Sequence, residues 1–251
     1  MLNISFSRWC VGLISVILVL VVIAGCVKKA HFAPVLNGWL QSDAKKGLYR
    51  VKEMDTIYSI AWAFGLDYQA LAAINHLSTP YAIKSGQLLH MTNAPLQYGQ
   101  KIVLLQLAQK SDQVLPPWRQ HLSPASSRLV SHWQWPVKGR IIGCYSETMT
   151  AGTQGLDITG YYGEPVHAAS EGVVVYSGSG VRGYGNLIII KHSQNYLSAY
   201  AFNKQIFVKK GSRVRVGQEI AEMGRTDSGC VMLHFEIRRN GKPVNPLRYL
   251  S

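Results

Sequence analysis

The chain has 251 residues, of which 47% are hydrophobic and 16% charged, so it is long enough for one large domain or two small ones with linkers. Lys and Arg number 26 against 13 Asp and Glu, which gives a formal net charge of +13 and favours polyanionic partners: nucleic acid, anionic lipid or anionic cell wall. The basic residues are scattered and form neither an Arg-rich recognition helix nor a zinc-finger pattern, so the compartment must decide among these partners.

Residues 1–25 are typical of a secretory signal peptide. Arg8 precedes an apolar run, Leu13–Ile23, that is shorter than the roughly 20 residues a membrane-spanning helix needs. Small residues then precede Cys26, in an order that resembles the bacterial lipobox. The resemblance implies cleavage before Cys26, acylation of its sulfur and a lipidated tether over residues 26–46. An ordinary signal peptide or a short anchor helix is the alternative.

The residue after Cys26 bears on localisation. By the sorting rule for such lipoproteins, Val27 in place of Asp implies the outer membrane, with the protein facing the periplasm. Two or three acyl chains hold a protein on a membrane stably. No nucleic acid is expected in that compartment, so the positive charge indicates peptidoglycan and anionic phospholipid as partners.

Residues 47–92 show a β-α-α-β pattern. A short strand at Tyr49–Lys52 is followed by Asp55 and Thr56, which suit a helix start, and by apolar residues at helical spacing. These features resemble a LysM module, with Met54 where that family usually has Gly. The resemblance implies weak binding of N-acetylglucosamine-containing chains, through Met54, Asp55, Thr56, Thr79, Pro80, Tyr81 and Ile83. The alternative is that Asp55 and Thr56 only cap a helix and Ile83 only fills the core.

A linker follows over residues 93–132. It contains Leu115-Pro116-Pro117, which cannot continue a helix or a central strand. A Pro-containing linker suggests that the modules on either side move semi-independently.

From residue 133 to 251, short β-branched runs are separated by Gly, and this spacing predicts a mainly-β domain. Gly155-Leu156-Asp157-Ile158, Gly183-Tyr184-Gly185-Asn186 and Leu233-His234-Phe235-Glu236 resemble the lysostaphin/LytM family of zinc endopeptidases, a sheet fold of the duplicated hybrid motif type. The expected fold class is therefore multidomain: a small βααβ LysM module and a LytM-type sheet domain joined by the linker.

Enzymes of that family hold a catalytic zinc with three protein ligands and leave one position open for water. By the resemblance, Thr153 stands where the first ligand His should be, whereas Asp157 and His234 survive. Met232 and Phe202 replace the two histidines that assist the water. No metal, cofactor or catalysis is expected, and Asp157 and His234 are expected to hydrogen-bond each other as core polar residues. His167 and His192 are expected to be solvated loop residues.

Phe202 and Met232 would turn the metal site into an apolar patch suited to a protein partner. The other groove candidates are Tyr145, Arg182, Tyr184 and Asn186. The module order resembles the NlpD type of amidase activator, which implies activation of a periplasmic N-acetylmuramoyl-L-alanine amidase at the division septum. The alternatives are a zinc endopeptidase with replacement ligands, or a passive tether between outer membrane and wall.

Cys144 and Cys230 remain after Cys10 is lost with the signal peptide and Cys26 is acylated. Both are expected to border the groove in an oxidising compartment. Two thiols are the default expectation, and a disulfide between them is the alternative.

Overall fold

The computed structural model describes residues 47–91, 133–146, 154–192 and 195–251. They form an N-terminal module (47–91) and a C-terminal module (133–251), and both lie within one compact unit. The predictions for the signal peptide, Cys26, the tether, the linker and Thr153 fall outside the described residues. Within the described ranges no helix has the length and apolar character needed to cross a membrane.

The N-terminal module has the predicted βααβ order. Strand β1 (Leu48–Arg50) pairs antiparallel with β2 (Leu88–His90), and helices α1 (Ile57–Phe64) and α2 (Tyr68–Ile74) lie between them in the chain. Apolar side chains from all four elements form its core. They include Tyr49, Ile57, Ile60, Phe64, Leu71 and Leu89.

Helix α1 begins with a reciprocal cap. The Ser59 amide donates to the Thr56 hydroxyl (3.1 Å), and the Thr56 amide donates to the Ser59 hydroxyl (3.0 Å), so two otherwise unpaired donors are satisfied. The Asp55 carboxylate instead accepts from the Lys52 amide and the Tyr49 hydroxyl, both at 2.8 Å. Thr56 is therefore the cap, and Asp55 fixes the loop before it.

The C-terminal module is an antiparallel sheet. Its strands are β3 (Ile141–Gly143), β4 (Leu156–Thr159), β5 (Pro165–His167), β6 (Gly172–Gly178), β7 (Asn186–Lys191), β8 (Tyr196–Ile206), β9 (Arg213–Val214), β10 (Glu219–Met223), β11 (Met232–Arg239) and β12 (Lys242–Val244). Along the described sheet the order is β3-β4-β11-β8-β7-β6-β9; β10 also pairs with β5 and β8, and β12 pairs with β11. A short 3-10 helix, Pro246–Arg248, follows β12.

Strand β11 separates two environments. Leu233, Phe235 and Ile237 point into the internal core of the C-terminal module. Because side chains alternate along a strand, Met232, His234, Glu236 and Arg238 share the opposite face, here called the site face. The whole strand is buried as far as Arg238, so the site face is also covered.

The N-terminal module packs on the site face. Apolar residues of that face belong to the same hydrophobic cluster as the core of the N-terminal module, among them Val175, Leu187, Ile189, Ala199, Ala201 and Met232. Helix α1 contacts strand β6. The structure thus differs from the expectation of semi-independent modules, because the apolar surface of one module is buried against the other.

Met54 lies in the loop before α1 with φ +66°, and its side chain is 69% exposed. A non-glycine residue in the left-handed region costs roughly 1–2 kcal/mol, whereas glycine costs about 0.5–1 kcal/mol in lost chain entropy. Met54→Gly is therefore expected to raise the free energy of unfolding by up to ~1 kcal/mol, measured by urea unfolding. Leu88→Gly, at an exposed strand position, should lower it; a loss of stability in Met54→Gly would contradict the reasoning.

Candidate functional site

A chain of buried polar side chains crosses the site face. His234 Nδ1 lies 2.6 Å from Asp157 Oδ1, and His234 Nε2 lies 3.0 Å from Glu236 Oε1. The other Glu236 oxygen accepts from Arg238 Nε at 2.9 Å, and the Tyr184 hydroxyl donates to Glu236 Oε1 at 2.8 Å. This polar chain, Asp157–His234–Glu236–Arg238, alternates acidic and basic groups, and the predicted contact of Asp157 with His234 is present.

Asp157 and His234 both lie on strands, and the pairing of these strands sets their positions. Residue His234 of β11 is the cross-strand neighbour of Asp157 on β4, and Asp157 in turn pairs with Gly143 on β3. A Cβ on Gly143 would lie 2.4 Å from Asp157 Oδ2, so the missing side chain leaves room for the carboxylate. The contact between Asp157 and His234 is thus fixed by sheet register.

The polar chain favours a charged imidazole. Burial alone would lower the pKa of His234, but the hydrogen bonds and charges of Asp157 and Glu236 raise this pKa to about 9. Burial alone would likewise raise the pKa of Glu236, but Arg238 and His234 lower it to about 2. The stabilisation that His234 contributes is full below the unfolded pKa of about 6.5 and is lost as pH rises through 9.

The polar chain contains Asp157 and His234, the two positions that the resemblance assigns to surviving zinc ligands. A metal-bound histidine must be neutral and must offer the lone pair of one ring nitrogen. In this arrangement carboxylate oxygens lie against both ring nitrogens of His234. Among the described residues no group of three or more His, Cys, Asp or Glu side chains is placed to hold a metal ion.

Phe202 and Met232 lie beside the polar chain. The Phe202 ring centroid is 6.4 Å from that of His234, and Met232 is fully buried two residues before His234 on the same face. Phe202 has φ +62°, and the pairing of β8 is irregular beside it. This bulge brings Ala201 and Phe202 into the same cluster, although neighbouring strand residues normally face opposite sides. The predicted apolar patch exists, but it is buried.

The other predicted groove residues are dispersed. Tyr184 is buried and joins the polar chain, whereas Arg182 is exposed. The Asn186 amide donates to the Asn203 carbonyl, and Asn203 donates back to Asn186, so this pair ties β7 to β8. The Tyr145 hydroxyl donates to the Pro243 carbonyl at 3.3 Å. Of these four candidates, Tyr184 is the one that contacts the polar chain, through Glu236.

The alternative disulfide is not formed, since both Cys144 and Cys230 are thiols. Strand β4 lies between β3, which precedes Cys144, and β11, which follows Cys230. Two strand spacings amount to roughly 10 Å, beyond the roughly 7 Å Cα separation that a disulfide spans.

The predicted glycan-binding residues of the N-terminal module differ in exposure. Met54, Thr79 and Pro80 are exposed, while Thr56 is buried in the helix cap. Ile83 is half-buried and packs on the core, as the alternative interpretation required.

Tyr81, also half-buried, lies in an aromatic cluster. Its ring centroid is 6.4 Å from that of Tyr58 and 5.9 Å from that of Tyr68. The exposed members Met54, Thr79 and Pro80, with the Tyr81 ring, are the part of the predicted groove open to a ligand.

The prediction for His192 is wrong. Its side chain is buried, with Nδ1 2.6 Å from the Glu171 carbonyl and Nε2 2.7 Å from the Ser198 hydroxyl. Burial lowers the pKa of His192 to about 4. His167 is half-buried on β5 and pairs with Glu219, so it is not a loop residue either.

Sequence reasoning missed Glu236, Arg238 and Trp62. The first two could have been found, because they share strand parity with His234. Trp62 lies in α1 and meets Arg238 only through the packing of the two modules. No local sequence pattern predicts that contact.

Comparison with known proteins agrees with this architecture. A LysM domain model matches residues 49–92, and a Peptidase family M23 model matches residues 151–246. The antimicrobial peptidase lysostaphin from Staphylococcus simulans is 26% identical over 48% of this chain and 54% of its own, with a TM-score of 0.44. The fold and site therefore define a two-module protein, a LysM domain with a mainly-β M23-type domain.

Curated relatives narrow the class. A Pseudomonas aeruginosa protein named lipoprotein NlpD/LppB homolog is 43% identical over 81% of this chain and 77% of its own length. Escherichia coli has the murein hydrolase activator NlpD, 35% identical over 80% and 67%, and the lipoprotein YgeR, 37% identical over 95% and 92%. The chain belongs to the NlpD/LppB lipoprotein family.

Neutral burial of His192 predicts a pH-dependent stability. The contribution of the neutral imidazole to the free energy of unfolding is full above the unfolded pKa of about 6.5. It falls by about 3 kcal/mol as pH falls towards 4. The His192→Gln variant should be less stable than the unchanged chain at a pH of about 7. The difference between their free energies of unfolding, measured with urea, should shrink as pH falls to about 4.5. The exposed His90→Gln serves as control; a constant deficit across this range would show that His192 is not buried neutral.

Proposed function

We propose that the chain is a non-enzymatic activator of a periplasmic N-acetylmuramoyl-L-alanine amidase during septal peptidoglycan splitting and daughter-cell separation. The observation that carries the proposal is the replacement of both water-assisting histidines of the family by apolar side chains. Phe202 and Met232 lie beside His234 at these positions and supply no general base for a water molecule. The name murein hydrolase activator, borne by a relative, supports contact with a hydrolase as the mode of action.

The lipobox-like pattern at Cys26 and the Val27 that follows it support a location at the inner side of the outer membrane. A lipid on Cys26 anchors the chain there with its modules in the periplasm, and a relative in Haemophilus influenzae is named outer membrane antigenic lipoprotein B. The N-terminal module then holds peptidoglycan, and the +13 charge favours the anionic wall and phospholipid. The lipid and the N-terminal module together keep the C-terminal module close to the wall on which the amidase acts.

The site face supplies a protein-binding chemistry instead of a hydrolytic one. Aromatic and Met side chains adjoin a rigid polar chain there, a composition common at the centres of protein interfaces. A degenerate hydrolase cleft can thus be retained for contact, because function depends on the site and not on the fold.

Peptidoglycan binding is tested at Met54, the most exposed apolar residue of the predicted groove. Met54→Asp should lower co-sedimentation with purified sacculi at least about threefold, since an apolar contact is lost and a charge repels the anionic wall. Leu88→Asp makes the same kind of change at an exposed β2 position outside the groove and should bind like the unchanged chain. Equal binding by the unchanged chain, Met54→Asp and Leu88→Asp would show that the Met54 loop does not contact the glycan.

Activation is tested by mixing the full chain with a periplasmic amidase and dye-labelled sacculi. The unchanged chain should increase dye release, and Arg182→Glu should lower this stimulation about tenfold, because Arg182 is an exposed cation two residues before Tyr184, which contacts Glu236 on the site face. Arg213→Glu reverses the charge of another exposed arginine, on β9, and this variant should stimulate the amidase normally.

The same assay separates the alternatives. Dye release by the chain alone, with zinc bound in metal analysis, would identify a zinc endopeptidase. Sacculus binding without stimulation of any periplasmic amidase would identify a passive tether. Either result contradicts the activator proposal.

A further inference from the structure

The N-terminal module contacts the polar chain directly through α1. Arg238 Nη1 donates to the Trp62 main-chain carbonyl at 2.7 Å, and the guanidinium carbon lies 3.9 Å from the centre of the Trp62 ring. Both side chains are only 2% exposed. Arg238 therefore joins the two modules through a hydrogen bond and a cation–π contact, while it also holds Glu236.

A second contact lies at the end of β7. Lys191 Nζ is 5.3 Å from the centre of the Tyr68 ring and 6.0 Å from that of Tyr58. These two rings and Tyr81 form the aromatic cluster beside the predicted glycan groove. The face of the N-terminal module that carries this cluster is thus turned towards the C-terminal module.

The third contact is made by backbone. Gly241, in the turn between β11 and β12, faces the segment that joins α1 to α2. A Cβ on Gly241 would lie 2.4 Å from the Leu66 carbonyl oxygen and 2.5 Å from the Asp67 amide nitrogen. The two main chains can approach this far only because residue 241 has no side chain.

Together these contacts cover the residues on which the proposed function depends. Phe202, Met232 and His234 are each at most 5% exposed, and the apolar part of the site face shares its cluster with α1. A partner protein cannot reach these side chains while they are buried in this arrangement of the two modules.

We propose that the N-terminal module is an intramolecular cover of the site face, held by Trp62 and Arg238, and that it must move away before the site face binds a partner. The inference rests on the proposed function only for the identity of that partner. The closed form then lowers the apparent affinity for the amidase by the fraction of molecules that are open. Opening exposes apolar side chains that the two modules share, together with charged and aromatic groups that water can solvate again.

Gly241→Asn tests the cover in the full chain. Asn accepts the positive φ of +75° at this turn, but its side chain meets the Leu66–Asp67 backbone and should push the module away. Gly211→Asn is the matched control, since Gly211 also has positive φ (+91°) but a Cβ added there would have nothing within 4 Å. Trp62→Ala is a second variant that removes the ring contact without a clash.

Hydrogen exchange followed by mass spectrometry reports the cover without any amidase. In Gly241→Asn and Trp62→Ala, residues 57–64 and 232–239 should exchange about tenfold faster than in the unchanged chain and Gly211→Asn. Stimulation of the amidase should reach half its maximum at a concentration lower by about tenfold, as expected if roughly nine molecules in ten are closed.

The two readouts separate the inference from the proposed function. Unchanged exchange in both variants would overturn the cover, as would faster exchange with no gain in stimulation when the unchanged chain does stimulate. Faster exchange with no stimulation by any form would support the intramolecular contact and overturn the amidase proposal.

Discussion

The imidazole of His234, held between the carboxylates of Asp157 and Glu236, is the interaction on which the rest of the site depends. Burying a charged group costs several kcal/mol unless partners compensate for the lost water. Here each charge has a neighbour of opposite sign, and Arg238 ends the series. The alternation allows four ionisable side chains to lie buried within the sheet module.

The polar chain extends beyond the C-terminal module. Arg238 satisfies Glu236 with one nitrogen and uses two others for the Trp62 carbonyl and the Gln154 side chain. A planar guanidinium with five donors suits this role, whereas a lysine could not make these contacts at fixed angles. Arg238 therefore links the electrostatic arrangement of the polar chain to the packing of the two modules.

Sequence alone predicted what depends on local pattern and family spacing. The βααβ order, the mainly-β sheet and the contact of Asp157 with His234 follow from periodicity and motif. Burial of His192 did not, because Ser193-Gln194-Asn195 indicated an exposed turn, and only the fold brings Glu171 and Ser198 to its ring. The Trp62–Arg238 contact joins residues 176 positions apart, across a linker whose prolines suggested separation.

The two faces of strand β11 have different roles. Leu233, Phe235 and Ile237 fill the internal core, and the residues between them form most of the polar chain. Insertion or deletion of one residue within this strand would exchange the faces, sending charges into hydrocarbon and apolar groups onto the carboxylates. Substitutions at single positions leave this alternation intact, but a change of length does not. Loop grafting or circular permutation of this protein must therefore leave residues 232–239 uninterrupted.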